Sequence, residues 1–474
     1  MQPSMFNVRV PLEDSREGGD VFLMNTFSDA QLIVSSDVVD LLDRLELGAP
    51  EASVWNADER ATLAELSEHG FIVETRDAER RELRQFFRDV RESTDSLKVT
   101  VLTTLQCNFA CDYCIQGDHG DYNKTAAKMS LETAARTAAW VERRLDAIAP
   151  GRLVLTFFGG EPLLNLPVLY DLAERLHASC AERGVELVIN IITNGLLITR
   201  ELVERLNPLG LNGIKITLDG DREAHNRSRP LRGGQGTFDR IVANVRAVAD
   251  LTRIAVGGNF DMDSVDSYPA LLDFLAGQDF APRLAKVLFK PVIREKSAQA
   301  RGIIPLTAVG AEGKPLNGAC MTSAGTGVAR VCDSCNFVDE KMAFLREETK
   351  KRGFPTSDGV HMGPCEIHKS HAHTIGPDGS LFACPGFAGE ARQSTGHIDD
   401  RQDDFRAQAL RNFERLAAWE QCRDCAFIPV CAGGCTVAAH NELGDMHAPN
   451  CHKPSFEAGV VSLAREAARE HVNA

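Results

Sequence analysis

The stretch Thr103-Thr104-Leu105-Gln106-Cys107-Asn108-Phe109-Ala110-Cys111-Asp112-Tyr113-Cys114 decides how the rest of the chain is read. A strand pattern over Lys98–Thr104 runs into a loop with three cysteines at C-x3-C-x2-C spacing. Three thiolates are one short of a closed structural zinc site and one short of the usual four around a cubane iron–sulfur cluster. Such a set leaves one metal position open to an outside ligand. A zinc loop that borrows a fourth ligand, such as His119, is the competing reading of the triplet alone.

Downstream, short apolar runs alternate with helix-length amphipathic segments. After the first strand, strands are expected at Leu153–Phe158, Glu186–Ile192, Gly213–Leu218, Ala255–Asn259 and Lys286–Lys290. Helices are expected at Ser130–Ile148 with Ser130 as N-cap, and at Pro167–Arg183, Arg200–Leu206, Thr237–Leu251 and Ser267–Gly277. Strands alternating with helices imply parallel pairing, and continuous apolar strands imply a sheet covered by helices. Six units are too few for an eight-fold barrel. The fold class expected is therefore α/β, a partial (β/α)6 barrel. The second strand ends in Gly159-Gly160-Glu161-Pro162, where two glycines permit close backbone approach to a ligand. The third ends in Thr193-Asn194-Gly195, and the fourth in Thr217-Leu218-Asp219-Gly220, leading on to His225 and Arg229. All lie at C-terminal strand ends, where α/β folds place ligands. An unrelated zinc loop gives no reason for that register.

Residues 1–95 read as a winged-helix-like α+β module. Strands are expected at Val21–Asn25 and Gln31–Val34, helices at Asp37–Leu45 and Asp58–Glu68, and a last strand at Phe71–Val73. A charged helix from Arg76 to Arg91 connects this module to the barrel, assigned to 96–292. A bridging region, 293–359, precedes a cysteine-rich extension, 360–455, and a C-terminal helix, 456–474. Beyond residue 292 helical pattern is expected only at Asp404–Trp419 and Ser455–Asn473. Ten of the fourteen cysteines fall there, so ligand bonds would supply what packing lacks.

With 474 residues the chain has length for about three domains. Its net charge of −15 argues against nucleic acid and anionic lipid as partners. No apolar run is long enough to span a membrane, and the start, MQPSMFNVRV, is not a secretory signal. A cytoplasmic location is expected, where disulfides are rare, so fourteen cysteines favour metal or cluster ligation.

The Cys107/Cys111/Cys114 triplet followed by Gly159-Gly160-Glu161-Pro162 resembles the radical S-adenosylmethionine enzymes over roughly residues 98–290. The resemblance implies a [4Fe–4S] cluster on those three thiolates, with S-adenosylmethionine on the fourth iron. It places Gly159, Gly160 and Glu161 against the methionine end, Thr217 and Asp219 at the ribose, and Asn194 nearby. Reductive cleavage would then yield a 5′-deoxyadenosyl radical that takes hydrogen from an unactivated carbon. A low-potential donor of flavodoxin or ferredoxin type would supply the electron.

Cys365-x13-Gly379-x4-Cys384, then Cys422-x2-Cys425-x5-Cys431-x3-Cys435 and Cys451, resemble the SPASM extension of that family. This implies two auxiliary [4Fe–4S] clusters, three clusters in all. Cys365, Cys384 and Cys435 would share one; Cys422, Cys425, Cys431 and Cys451 would hold the other. The first departs from the family pattern, because His361-Met362-Gly363-Pro364 precede Cys365 where relatives have a thiol. Cys335, Cys332, one of His361, His368, His371 and His373, or an open position are the alternatives for its fourth ligand, with a solvated loop the plain reading of the histidines. Cys320 and Cys180 are expected to be unliganded, Cys180 packing as a small apolar residue on its helix.

SPASM-bearing relatives mostly modify peptides. The N-terminal module weakly resembles winged-helix leader-binding domains, which add a leader peptide as a strand to a sheet edge. A ribosomally made precursor peptide is thus the expected partner, crosslinked through thioether, carbon–carbon or related bonds. Formylglycine formation on a sulfatase and a non-catalytic iron–sulfur or zinc protein are the alternatives. Deleting residues 1–95 is expected to weaken leader binding and spare cleavage of S-adenosylmethionine. No residue is identified as acid or base.

Overall fold

The computed structural model describes residues 1–12, 19–47, 55–114, 126–292, 333–361, 363–400 and 404–473. Its strands, in chain order, are β1 (Gln2–Pro3), β2 (Asn7–Pro11), β3 (Val21–Asn25), β4 (Gln31–Val34), β5 (Ile72–Val73), β6 (Ser96–Thr104), β7 (Arg152–Gly159), β8 (Glu186–Thr193), β9 (Leu211–Thr217), β10 (Arg253–Phe260), β11 (Leu284–Pro291), β12 (Ala372–Ile375), β13 (Ser380–Phe382) and β14 (Gly396–His397). Strands β6 to β11 form a parallel sheet in sequential order, with helices Leu131–Ile148, Leu166–Arg183, Arg200–Leu206, Phe238–Val248 and Tyr268–Ala276 in the connections. The Ser130 hydroxyl accepts the Thr133 N–H at 3.0 Å and starts the first of these helices. The fold is a mixed α/β architecture with a parallel sheet that does not close into a barrel.

These strands alternate in burial instead of being apolar throughout. Leu97, Val99 and Val101 of β6, and Ile214 and Ile216 of β9, pack into the core shared with the helices. Lys98 and Thr100, and Lys215 and Thr217, occupy the intervening positions on the other face. Helices therefore cover one face, and the concave face is left for polar side chains. Cys180 is buried in the core on the helix Leu166–Arg183.

The C-terminal region does not stand apart from this sheet. Strand β12 pairs parallel with β6, Ala372 opposite Lys98, and β13 and β14 follow antiparallel, so one nine-stranded sheet runs β11-β10-β9-β8-β7-β6-β12-β13-β14. Three helices absent from the sequence reading of this region appear, Asp333–Lys351, the single turn Ile428–Cys431, and Thr436–Leu443. In the first, Val338, Met342, Leu345 and Thr349 recur at helical spacing. The helix expected over Asp404–Trp419 stops at Glu414 and is followed by a separate short 3-10 turn, Ala418–Cys422.

At the N-terminus the expected hairpin β3–β4 gains β2 as a third antiparallel strand. Ile72–Val73 does not join it but pairs with Gln2–Pro3. Helices Ser36–Glu46 and Ala57–Glu68 pack with Leu23, Phe71 and Ile72 in one small core. Asn56 and Glu59 form a reciprocal cap at the start of the second helix. Phe22, Met24, Val8 and Val10 meet Val360, Phe427, Val460 and Ala464 in another core, tying this sheet to the C-terminal helix Lys453–Asn473.

Candidate active site

Strand β6 delivers Cys107, Cys111 and Cys114 into one cavity of about 250 Å³ at the C-terminal ends of the parallel strands. The loop that carries them is tied down by backbone. The Ala110 N–H donates to the Pro230 carbonyl at 2.9 Å, and the Arg232 N–H donates to the Asn108 carbonyl at 3.2 Å. The Phe109 N–H points at the Cys107 Sγ, 3.4 Å away. Burial pushes the Cys107 thiol up to about 12 and the Cys111 thiol up to about 11, the latter opposed by the Arg229 guanidinium. Thiols so placed ionise only when a cation compensates them. His119 lies outside the described residues.

The glycine pair serves this loop. The Gly160 N–H donates to the Thr104 carbonyl and the Glu161 N–H to the Gln106 carbonyl, at 2.9 and 2.8 Å. A Cβ at Gly160 would stand 2.2 Å from the Gln106 carbonyl oxygen, and one at Gly159 2.2 Å from that of Thr104. Both glycines also line the cavity. The close approach expected toward a ligand is thus made first toward the cysteine loop.

Glu161 is fully buried. Its carboxylate accepts the Leu163 N–H, the Thr193 hydroxyl and the Asn194 N–H, all within 3.0 Å, which ties the ends of β7 and β8 together. Asn194 lines the cavity, donating through Nδ2 to Asn108 Oδ1 at 2.7 Å. Thr217 lines it too.

Asp219 lies behind the cavity wall. Its carboxylate accepts the Asn259 N–H at 2.7 Å and the Tyr113 hydroxyl, which is itself met by Arg229. Arg229 stands 3.5 Å from Asp219 and 5.6 Å over the Phe109 ring. This buried network grips the loop between Cys107 and Cys114 from below. His225 is fully buried, accepts the Asp219 N–H at Nδ1 and so carries its proton on Nε2, facing Thr237. Burial holds its pKa far down, so it is a neutral structural residue and does not line the cavity.

Sequence reasoning missed Tyr113, Lys215, Asn259 and Lys290, all of which line the cavity. Lys215 had a legible signal: a lysine between two isoleucines in a strand must face away from the core.

The seven C-terminal cysteines gather into two sets. Cys365, Cys384 and Cys435 are close enough for each thiolate to oppose ionisation of a neighbour. So are Cys422, Cys425, Cys431 and Cys451. Burial pushes Cys384, Cys422 and Cys431 up to about 12. The β12–β13 turn, with Gly379 at φ +93°, delivers Cys384. Among the described residues no three His, Cys, Asp or Glu side chains converge to hold a single ion.

The side chains of Cys332 and Cys335 lie outside the described residues. Of the nearby histidines, His361 stays exposed, as a solvated loop would have it, while His368, His371 and His373 are drawn in. His361 bridges Asp358 and Asp29 at 2.8 and 2.6 Å. His373 packs edge-on against Trp140, His371 meets Arg144, and His368 is buried. The Trp140 ring gives His373 an apolar partner.

Residues 101–262 match the family model described as the Radical SAM superfamily. A 213-residue stretch is 29% identical to the Fe-coproporphyrin III synthase of Methanosarcina barkeri (strain Fusaro / DSM 804), covering 42% of this chain and 49% of that protein. Another, of 163 residues, is 33% identical to the GTP 3',8-cyclase of Synechococcus sp. (strain CC9605), covering 33% and 43%. The chain thus spans about half or less of the length of these relatives. The solved structure "Native anSMEcpe with bound AdoMet" superposes with a TM-score of 0.54 at 17% identity, over 80% of this chain and 99% of that one, which is a likeness of fold. Over residues 101–262, about a third of its length, the chain is similar to the Radical SAM superfamily. That similarity implies S-adenosylmethionine and a [4Fe–4S] cluster, and the two named relatives are enzymes. No described helix is long and apolar enough to cross a membrane.

Proposed function

We propose that this chain is a radical S-adenosylmethionine enzyme with a SPASM-type extension that crosslinks a ribosomally made precursor peptide. The reading is carried by one observation: three thiols from a single loop share a cavity with Gly159, Gly160, Asn194 and Thr217 at the open end of the sheet. Cys107, Cys111 and Cys114 would hold the radical-generating cluster. The fit rests on the donor set, buried thiols that need a compensating positive charge. When bound, the cluster supplies the electron that cleaves S-adenosylmethionine. The chain's own residues hold the loop, orient the cosubstrate and keep water out. Gly159, Gly160, Asn194 and Thr217 would touch the cosubstrate, while Glu161 and Asp219 would fix those contacts from behind.

Cys365, Cys384 and Cys435 would hold one auxiliary cluster, and Cys422, Cys425, Cys431 and Cys451 the other. The three-stranded N-terminal sheet, with β4 at an edge, supports a leader-binding role and favours a peptide maturase over a sulfatase maturase. A flavodoxin- or ferredoxin-type donor would deliver the electron.

The test is anaerobic reconstitution followed by dithionite reduction. The wild type should carry about twelve irons per chain, as three cubanes require, and form 5′-deoxyadenosine. Cys111→Ala should lower that product at least about 100-fold, the loss expected when a chemical step loses its centre. Cys425→Ala should lose about four irons. Undiminished 5′-deoxyadenosine in Cys111→Ala would overturn the assignment of the triplet.

A further inference from the structure

We propose that Lys215 and Lys290 form a carboxylate-binding subsite in the cavity that recognises an acidic side chain of the peptide substrate. This rests on the peptide reading above and names a chemical feature of the substrate. Three lysines stand on the concave face of β9 and β11, the two strands that flank β10. Val287 and Phe289 point into the core, which leaves Lys286, Leu288 and Lys290 of β11 on the other face. Lys215 of β9 is in register with Ala255 of β10, which is in register with Lys286. Asn259 pairs with Lys290 at the cavity end of the sheet.

Between the lysine-bearing strands, the concave face of β10 offers the small Ala255 and Gly257, with Asn259 beyond them at the cavity end. A Cβ at Gly257 would meet the Lys215 Cε at 2.8 Å, so glycine there leaves room for the lysine arm to lie along the wall. Lys215 and Lys290 both line the cavity with the cysteine triplet.

No carboxylate among the described residues answers these charges. Lys98, also on the concave face, is paired with Glu366 at 2.7 Å. Lys215, Lys286 and Lys290 have no ion pair or hydrogen bond among the described residues. The two acids nearest the cavity are already committed: Glu161 to three donors and Asp219 to Tyr113, Asn259 and Arg229. The lining is therefore cationic, and burial together with the neighbouring lysines makes Lys215 hard to keep charged without a counter-ion. Lys290 lies at the far edge of the parallel sheet, five strands from the one that feeds the cysteine loop. Its charge also reaches Cys384. A substrate placed between the triplet and the Cys365/Cys384/Cys435 set would pass these two ammonium groups.

The experiment uses reconstituted protein saturated with S-adenosylmethionine and two probes, acetyl-Ala-Glu-Ala-amide and acetyl-Ala-Gln-Ala-amide, titrated calorimetrically. The wild type should bind the Glu probe at least about tenfold tighter than the Gln probe, the gain expected for a partly buried charge pair. Lys215→Met and the exposed Lys290→Met should bring the ratio to about one, and Lys290→Arg should retain part of it. Equal binding of the two probes by the wild type overturns the subsite. A Lys215→Met loss that falls on S-adenosylmethionine affinity, with the Glu/Gln ratio intact, overturns it as well. Binding of neither probe, with 5′-deoxyadenosine still formed, overturns the subsite alone; the peptide reading stands or falls on binding of the leader.

Discussion

At the scale of single residues, Gly160 illustrates how a ligand-site motif is spent on architecture. The atoms that a Cβ would strike there are the carbonyl oxygens of Gln106 and Leu105, backbone with nowhere to retreat. Gly160→Ala should cost about 1–3 kcal/mol, the usual toll of overpacking, and shift the cysteine loop enough to lower iron loading. A thermal melt and an iron assay check this; wild-type values for both would refute it. Lys215 supplies a second residue-scale expectation. Burial first, then the charges of Lys290 and Lys286, lower its pKa to about 8. Below that pH it is an ammonium, and above it an amine with little pull on a carboxylate. A glutamate side chain, with pKa about 4.3, stays ionised throughout. The Glu/Gln preference should therefore be full near pH 7 and fade as pH rises past 8, somewhat later once the bound anion steadies the ammonium. A flat profile up to pH 9.5 would contradict it. The triplet and the strand-end motifs were legible because loop chemistry is written in adjacent residues. The Tyr113–Asp219–Arg229 network was not, because it joins residues more than a hundred positions apart.

At the scale of elements, the six parallel strands and their helices were legible to within a few residues, since each is a run of one period. The short β1 and β2 were missed: two and five residues carry too little pattern. Their arrival matters, because β2 occupies one edge of the N-terminal sheet and leaves β4 at the other. The Asn25 N–H bonds to the Ala30 carbonyl at 2.9 Å. In an antiparallel ladder the inward N–H groups then alternate from Ala30, which turns those of Gln31 and Ile33 outward. An added leader strand would use them. Gln31→Pro removes one outward donor at an exposed position without touching the β3 ladder. Leader affinity should fall about tenfold, the worth of one backbone hydrogen bond, with the melting temperature nearly unchanged. Binding of a fluorescent leader peptide measures it, and unaltered affinity would exclude strand addition at this edge.

At the scale of the whole molecule, the N-terminal unit and the cysteine-rich region share apolar cores. Met5, Phe6, Leu83 and Phe87 pack with Trp419, Ile428 and Ala432, and Cys422 and Cys425 lie against that cluster. Phe87 and Trp419 stack at 4.5 Å. Removing residues 1–95 would bare these side chains, so it should cost iron at the Cys422/Cys425/Cys431/Cys451 set as well as leader binding. Trp419→Ala should destabilise by about 3–5 kcal/mol, as for other buried aromatics, and release iron from that set, as melting and iron analysis would show. A variant that melts and loads like the wild type would mean the two regions are only neighbours. The continuation of β6 into β12 reaches further still. One flank of the half-barrel is zipped to the extension by backbone hydrogen bonds. The extension is thus no detachable cassette: a chimera that borrowed another protein's tail would need a strand in matching register, or it would leave a raw seam along β6 and invite aggregation.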